Sequence, residues 1–118
     1  HQPTGMGIPV AFPPLAGSDW VKGDKERLIK ISLYGLTGEI EVNGVKFIGA
    51  MPPPGTPPGS LTDQQIADVL TFVRNSWGNS ASPVSPSEVA AVRASINGRA
   101  PMQMWTAAEL TPEKKPEQ

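Results

Sequence analysis

The chain of 118 residues has the length of a single domain, and its 10 basic and 11 acidic residues leave a formal net charge of −1. This balance favours neither nucleic acid nor an anionic membrane surface as a partner. No cysteine is present, so disulfides cannot stabilise so small a core, which favours a bound cofactor. The apolar runs are all too short to cross a bilayer.

The first segment, residues 1–23, shows neither a helical nor a strand period. Prolines and glycines interrupt it repeatedly, from Pro3 and Gly5 to Pro14 and Gly17. Such spacing predicts an irregular but ordered loop. Long loops in a compact domain often carry function.

A helix is predicted after this loop. Asp24 is a suitable N-cap for Lys25–Tyr34, which is rich in Leu and Ile. Gly35 and Gly38 are expected to end it, because glycine is favoured just beyond a helix C-terminus.

The next segment, EIEVNGVKF, predicts a β-hairpin. Ile40 and Val42 alternate with glutamates, and Val45 and Phe47 resume the alternation after Asn43-Gly44. Asn-Gly is the strongest two-residue hairpin signal, since both residues tolerate positive φ. A hairpin this short must pack against something larger.

A proline-rich stretch, Pro52–Pro58, follows the hairpin. Its five prolines force extended backbone. The stretch is either a rigid surface loop or a support that presents Met51, which immediately precedes it.

The segment LTDQQIADVLTFVRNSWGN is the clearest helix. Thr62 and Gln65 form a capping box, and Gly78 is a C-terminal stop. Five apolar residues fall on one predicted face: Ile66, Val69, Leu70, Val73 and Trp77.

A last helix is predicted in SPSEVAAVRA, where Ser85 is the N-cap, Pro86 the first helical residue and Glu88 the partner in a second capping box. After Ser95 the chain becomes polar and irregular, and TPEKKPEQ is expected to be a solvated tail. We therefore predict a domain over residues 1–94 and a C-terminal extension and tail over residues 95–118.

Signals of catalysis are missing. One histidine and no cysteine leave no triad, no zinc site and no thiol nucleophile. His1 and Met51 remain as candidate functional residues. Taken alone, each has an ordinary explanation, as a terminal remnant and as a gap-filling core residue.

Three stretches in order, HQPTGMGIPVAFPPLAGSDW, GLTGEIEVNGVKFIGAMPP and LTDQQIADVLTFVRNSWGN, resemble a class I c-type cytochrome domain. The resemblance runs from His1 to about Arg93 and is strongest to cytochrome subunits or fused domains of periplasmic dehydrogenases and copper nitrite reductases. It implies a mostly α fold, a small cytochrome c-like helical domain with a short β-hairpin and long Pro/Gly-rich loops.

The same resemblance implies a haem c site. His1 would be the proximal iron ligand and the backbone carbonyl of Pro13 would orient its ring. Leu15 would pack on the haem face, and Met51 would be the distal thioether ligand. Trp20 would either donate its indole N–H to a haem propionate or be a half-buried aromatic residue.

The resemblance also implies an incomplete N-terminus. Such domains carry Cys-x-x-Cys-His, and His1 corresponds to its histidine, so the first helix and both attachment cysteines are missing from this sequence. The apolar face from Ile66 to Trp77 is then expected to be partly uncovered. Losing the burial of two such side chains costs about 3–6 kcal/mol, so we expect a preceding segment or a second polypeptide to cover this face.

The function implied is one-electron transfer in the periplasm, with no catalysis by the domain itself. The partner would be a dehydrogenase, a nitrite reductase or a terminal oxidase. The alternative is a haem-free interaction module that docks through the proline-rich loop 52–58.

Overall fold

A computed structural model describes residues 1–100 and 103–110. Within these residues, helices and one antiparallel hairpin form the regular structure, so the mostly helical class predicted from the sequence is confirmed. The elements in chain order are α1 (Asp19–Lys22), α2 (Lys25–Tyr34), β1 (Leu36–Val42), β2 (Val45–Met51), α3 (Asp63–Arg74), α4 (Pro86–Ser95) and α5 (Ala107–Leu110).

Helix α2 lies at the centre of the molecule. It begins as predicted, with the Asp24 carboxylate accepting the Glu26 N–H, and it ends at Gly35. Its faces serve two cores: Ile31 belongs to the cluster with the hairpin, whereas Ile29 belongs to the cluster with α3 and α4. A helix buried on more than one side explains why its apolar residues follow no single stripe.

The helical core joins α2 to α3 and α4. Val89 and Ile29 are almost completely buried there, at 0% and 1% exposure. Both predicted capping boxes are present, at Thr62 and at Ser85. These caps satisfy N–H groups at the helix N-termini that would otherwise lack partners.

The hairpin pairs β1 with β2, from Leu36 opposite Met51 to Val42 opposite Val45. Its turn is the predicted Asn43-Gly44, with φ values of 52° and 82°. The strands run further than the alternating pattern indicated. The end of the hairpin away from the turn was not predicted as strand, because Gly38 pairs with Gly49 there and glycines interrupt the apolar alternation.

Residues 1–23 contain one helical turn that the sequence did not predict. Ser18 caps α1, and its hydroxyl accepts the N–H groups of Trp20 and Val21. A four-residue helix is too short to display a period, so only the cap was available as a signal.

Helix α3 ends earlier than predicted, at Arg74, and Trp77 lies beyond it at φ 52°. The apolar face predicted for α3 is buried at some residues and exposed at others. Ile66 and Leu70 are buried at 2% and 4%, whereas Val69 is 48% exposed. The expected lack of cover therefore applies to only part of that face.

The chain beyond residue 94 contributes to the core. Trp105 is 8% exposed and packs with the hairpin, and its backbone bridges to Leu36. Leu110 in α5 is 5% exposed in the same cluster. The division at residue 94 remains a prediction, but Trp105 and Leu110 belong to the core. The predicted solvated tail, 111–118, lies outside the described residues.

Candidate cofactor site

A cavity of about 430 Å³ lies between the first loop, the hairpin and helices α2 and α3. Its wall is almost entirely apolar, and in the described part of the chain no Lys, Arg, Asp or Glu lines it. Phe12 and Ile48 line it and are also exposed, so the cavity meets solvent at these residues. The polar side chains Ser18 and Ser32 bond to nearby backbone, so His1 is the one polar side chain of the described wall that still has a ring nitrogen to offer.

His1 lies in this wall with its ring held by one hydrogen bond. Its Nδ1 is 2.7 Å from the carbonyl oxygen of Pro13. A carbonyl only accepts, so in the neutral ring the proton is assigned to Nδ1 and Nε2 carries the free lone pair. The Pro13 carbonyl is the acceptor that the resemblance implied.

The loop around His1 is held by its own backbone. The Gly7 N–H donates to the His1 carbonyl at 3.0 Å, and the Leu15 N–H donates to the Gly5 carbonyl at 2.7 Å. The Ile8 and Phe12 backbones exchange two bonds in a small bridge. These contacts bring residues 1, 13 and 15 together, and Leu15 lines the cavity; its packing on a haem face stays a prediction.

Met51 is the last residue of β2 and also lines the cavity. Its strand partner is Leu36, the first residue of β1. Gly35 makes this approach possible, since a Cβ there would lie 2.5 Å from the Met51 carbonyl oxygen. Pro52 and Pro54 line the same cavity, so the proline-rich stretch begins as part of its wall.

Met6 and Met104, the other methionines in the described residues, lie away from this position. Met6 is 64% exposed, and neither Met6 nor Met104 lines the cavity. Met102 lies outside the described residues. Met51 is therefore the thioether that the described wall offers.

Trp20 is buried and its ring lines the cavity. Its indole N–H donates to the carbonyl of Glu41 at 2.8 Å, and the Arg27 guanidinium lies 4.0 Å from the ring centre. A propionate contact would have to replace or share the bond to Glu41. The propionate role stays a prediction.

Sequence reasoning missed much of the apolar wall. Helix α2 supplies Leu28 and Ile31, the hairpin supplies Ile40 and Phe47, and α3 supplies Val69 together with Leu70 and Val73. The predicted apolar face of α3 contained the signal, because three of its five residues line this cavity.

The residues fit a haem. A large apolar ring needs an apolar cavity, and its iron takes an imidazole nitrogen and a thioether sulfur. His1 offers a nitrogen already oriented by a backbone acceptor, and Met51 offers the sulfur. Thioether attachment to the porphyrin needs cysteine, which these 118 residues do not contain. The site therefore offers an apolar pocket with an imidazole and a thioether in its wall, and no cysteine for the covalent bonds.

The fold and the site are those of a small haem-binding electron carrier. Residues 1–77 match the family model for Cytochrome c, and the chain belongs to this family. The family carries electrons on haem c, so the cofactor is haem c and the chain's function is electron transport.

Named relatives support this assignment. Cytochrome c-552 of Thermus thermophilus is 41% identical over 103 residues, covering 80% of this chain and 76% of the relative. The cytochrome c subunit of a quinone alcohol dehydrogenase from Gluconobacter oxydans is 33% identical over 103 residues, covering 79% of this chain and 19% of the subunit. The cytochrome c subunit of gluconate 2-dehydrogenase from Pantoea cypripedii is 37% identical over 101 residues, covering 79% and 21%.

Proposed function

We propose that His1 and Met51 are the axial ligands of haem c in this chain, and that the domain relays single electrons between a periplasmic dehydrogenase and its acceptor. One observation carries the proposal: the His1 ring is oriented by the Pro13 carbonyl in the wall of an apolar cavity that also presents Met51. When bound, the haem supplies a one-electron couple at its iron.

The proximal side depends on His1 and Pro13. The bond from Nδ1–H to the Pro13 carbonyl holds the ring plane and leaves Nε2 for the metal. It would also make Nε2 a stronger electron-pair donor to the iron, because the hydrogen bond from Nδ1–H to the carbonyl raises the electron density of the ring. Proline restricts its own backbone and so keeps the acceptor in one position.

The distal side depends on Met51. A thioether is a soft ligand that favours reduced iron, so it raises the reduction potential. Met51 lines the cavity wall, where its strand partner and the prolines after it would hold the side chain in place. Two filled axial positions leave no open position for a substrate, so the domain would carry electrons without transforming a molecule.

The partner is proposed to be a dehydrogenase, since two of the relatives are named as dehydrogenase subunits. Nitrite reductases and terminal oxidases have no such support here. The described residues contain no helix long and apolar enough to cross a membrane. We propose the periplasm as the compartment, as the resemblance implies.

The contact with the partner is proposed to involve an apolar rim, defined as Ile8, Val10, Phe12 and Ile48. Val10 and Ile48 are 65% and 61% exposed, and the Ile48 N–H donates to the Val10 carbonyl at 3.0 Å. Phe12 and Ile48 also line the cavity, so the rim borders the cofactor. Exposed apolar surface of this kind suits a transient contact.

The haem-free alternative, docking through loop 52–58, has less support. Pro53 is buried, and Pro52 and Pro54 belong to the cavity wall, so the first half of the loop serves the site. Membership of a haem-binding family also favours the electron carrier.

The test is Met51→Ala in the holoprotein. The reduction potential should fall and the iron should bind small ligands such as cyanide or imidazole, because the sulfur no longer occupies the distal position. Redox titration and visible absorption spectra measure both effects.

Met6→Ala is the matched control, because it removes a methionine that is exposed and outside the cavity. The control should leave the potential and the spectrum unchanged. An unchanged potential in Met51→Ala, or a loss of ligation in Met6→Ala, would contradict the proposed ligand.

A further inference from the structure

We propose that residues 77–79, in the turn after α3, are a clamp that positions the His1 loop, with Trp77 and Asn79 as its two positioning residues. This inference rests on the proposed axial role of His1. The loop spans residues 1–17 and carries both the His1 ring and the carbonyl that orients it. The clamp contacts this loop at both of its ends.

Asn79 holds the C-terminal end of the loop. It is 6% exposed, and its side-chain oxygen accepts the Gly17 N–H at 2.7 Å. Its amide nitrogen donates to the Leu15 carbonyl at 3.0 Å and to the Val73 carbonyl at 2.9 Å. The amide thus uses both donors and its acceptor, and it connects the loop to the last turn of α3.

The same end of the loop is also bonded to the hairpin turn. The Asn43 side chain donates to the Gly17 carbonyl at 3.0 Å. The N–H and the carbonyl of Gly17 are therefore both bonded to asparagine side chains. A backbone residue held at both polar groups has little freedom to shift.

Trp77 holds the N-terminal end of the loop. Its indole N–H donates to the Pro3 carbonyl at 2.9 Å, two residues from His1. Its ring lies so close to Gly5 that a Cβ there would be 2.5 Å from the ring. Gly5 is needed at this position, since it also has a φ of 74°.

The backbone of Trp77 is itself strained. Its φ of 52° is unusual for a bulky residue and costs free energy. The two contacts with Pro3 and Gly5 and the edge-on contact with Phe72 offset this cost. Ending α3 at Arg74 does not by itself require a tryptophan at a positive φ, so we attribute the conformation of Trp77 to its contacts with the loop.

The consequence for the site follows from the distances along the chain. Pro13 lies two residues before Leu15, so a shift of the clamped end moves the carbonyl that orients the His1 ring. Pro3 lies two residues after His1, so a shift of the other end moves the ring itself. Trp77 and Asn79 thus act on the proximal ligand through the loop, without lining the cavity themselves.

The test compares three variants of the holoprotein: Asn79→Ala, Trp77→Phe and Asn75→Ala. Trp77→Phe keeps an aromatic ring at this position and removes the indole N–H together with one of the two fused rings. Asn75→Ala is the matched control, since Asn75 is an exposed asparagine of the same turn that bonds only locally, to the Thr71 carbonyl. Two measurements are made: the paramagnetically shifted imidazole resonances of His1 in the oxidised protein, and the acid pH at which His1 leaves the iron.

We expect Asn79→Ala and Trp77→Phe to move the His1 resonances and to raise the acid midpoint by about one pH unit, a tenfold change in proton concentration. This is the size of effect expected when a hydrogen bond is lost. The control should change neither quantity. If Asn79→Ala does not fold, Asn79→Asp, which keeps the acceptor for Gly17 and loses both donors, is measured with Trp77→Phe.

Two results overturn the clamp. In the first, the variants lower the midpoint of urea unfolding but leave the His1 resonances and the acid midpoint unchanged, so the residues are only structural. In the second, the wild-type protein shows no iron-bound imidazole from His1, and the proposed function fails together with the clamp. The wild-type spectrum therefore tells the two failures apart.

Discussion

Arg74 is a buried cation that has no carboxylate partner in the described structure. It is 3% exposed, and its guanidinium donates to the carbonyls of Val21 and Gly23 at 2.9 and 3.0 Å and to the carbonyl and hydroxyl of Ser82. Burying a charge is costly unless hydrogen bonds replace its hydration. Here four contacts do so, and they join the end of α3 to α1 and to the loop before α4.

Arg74→Met is predicted to lower the free energy of unfolding by about 3 kcal/mol, because it leaves buried carbonyls without a donor. Urea unfolding measures the change. Lys22→Met removes an exposed cation nearby and should change stability by no more than about 0.5 kcal/mol. Equal costs for the two variants would show that the Arg74 contacts contribute nothing.

At the scale of secondary-structure elements, the capping box of α4 lowers the pKa of a carboxyl group, that of Glu88. The backbone N–H of Ser85 donates to the Glu88 carboxylate, and Lys25 from α2 forms an ion pair with it at 3.0 Å. Both contacts favour the ionised form, and the pKa of Glu88 lies below its ordinary value for this reason, the Ser85 backbone bond being the larger cause. The cap thus also joins α4 to α2.

A pH dependence follows from this lowered pKa. A carboxyl with a lower pKa in the folded than in the unfolded state stabilises the fold fully above its unfolded pKa, and loses this contribution as pH falls through the folded pKa. Glu88→Gln should therefore cost stability at neutral pH and less in acid. Urea unfolding of both proteins at several pH values measures this difference, and a cost that stays constant with pH would refute it.

At the scale of the molecule, the segment beyond residue 94 completes the core around the hairpin. The Trp105 indole N–H donates to the Lys30 carbonyl at 2.9 Å, and its backbone N–H donates to the Gly35 carbonyl at 3.0 Å. The Arg99 guanidinium lies 3.5 Å from the Trp105 ring centre. These contacts hold Gly35 and Leu36, directly beside Met51.

Trp105→Ala is predicted to cost about 3–5 kcal/mol of unfolding free energy, the range for truncating a buried aromatic residue. Thermal or urea unfolding measures it. Phe72→Ala serves as the control, because Phe72 is 63% exposed and its loss should matter far less. A small effect at Trp105 would favour the predicted division of the chain at residue 94.

The apolar rim is a property of the whole surface, and it leads to a prediction about electron transfer. Contacts between apolar surfaces depend weakly on salt, since screening acts on charges. Transfer to the partner should slow only slightly at high ionic strength. Ile8→Asp or Val10→Asp should slow it much more than neutralising Lys22, Lys25 and Lys30.

Stopped-flow electron transfer at low and high salt checks both parts of this prediction. The three lysine variants are the controls, because they change charge away from the rim. Rates that collapse with added salt would assign docking to a charged face instead.

Local signals determined much of the structure. The caps at Asp24, Thr62 and Ser85 and the Asn43-Gly44 turn lie within a few residues of the groups they bond, so they can be read from sequence alone. The pairing of His1 with the Pro13 carbonyl was also expected, but through family resemblance and not through any local rule.

Contacts between distant residues were decided only by the tertiary structure. The indole bond between Trp77 and Pro3 spans 74 residues, and the bond between Asn79 and Gly17 spans 62. Trp105 likewise reaches the core from a segment with no apolar period. A side chain that finds its partner across the fold leaves no periodic trace in the sequence, because its pairing depends on how the elements pack and not on its neighbours in the chain.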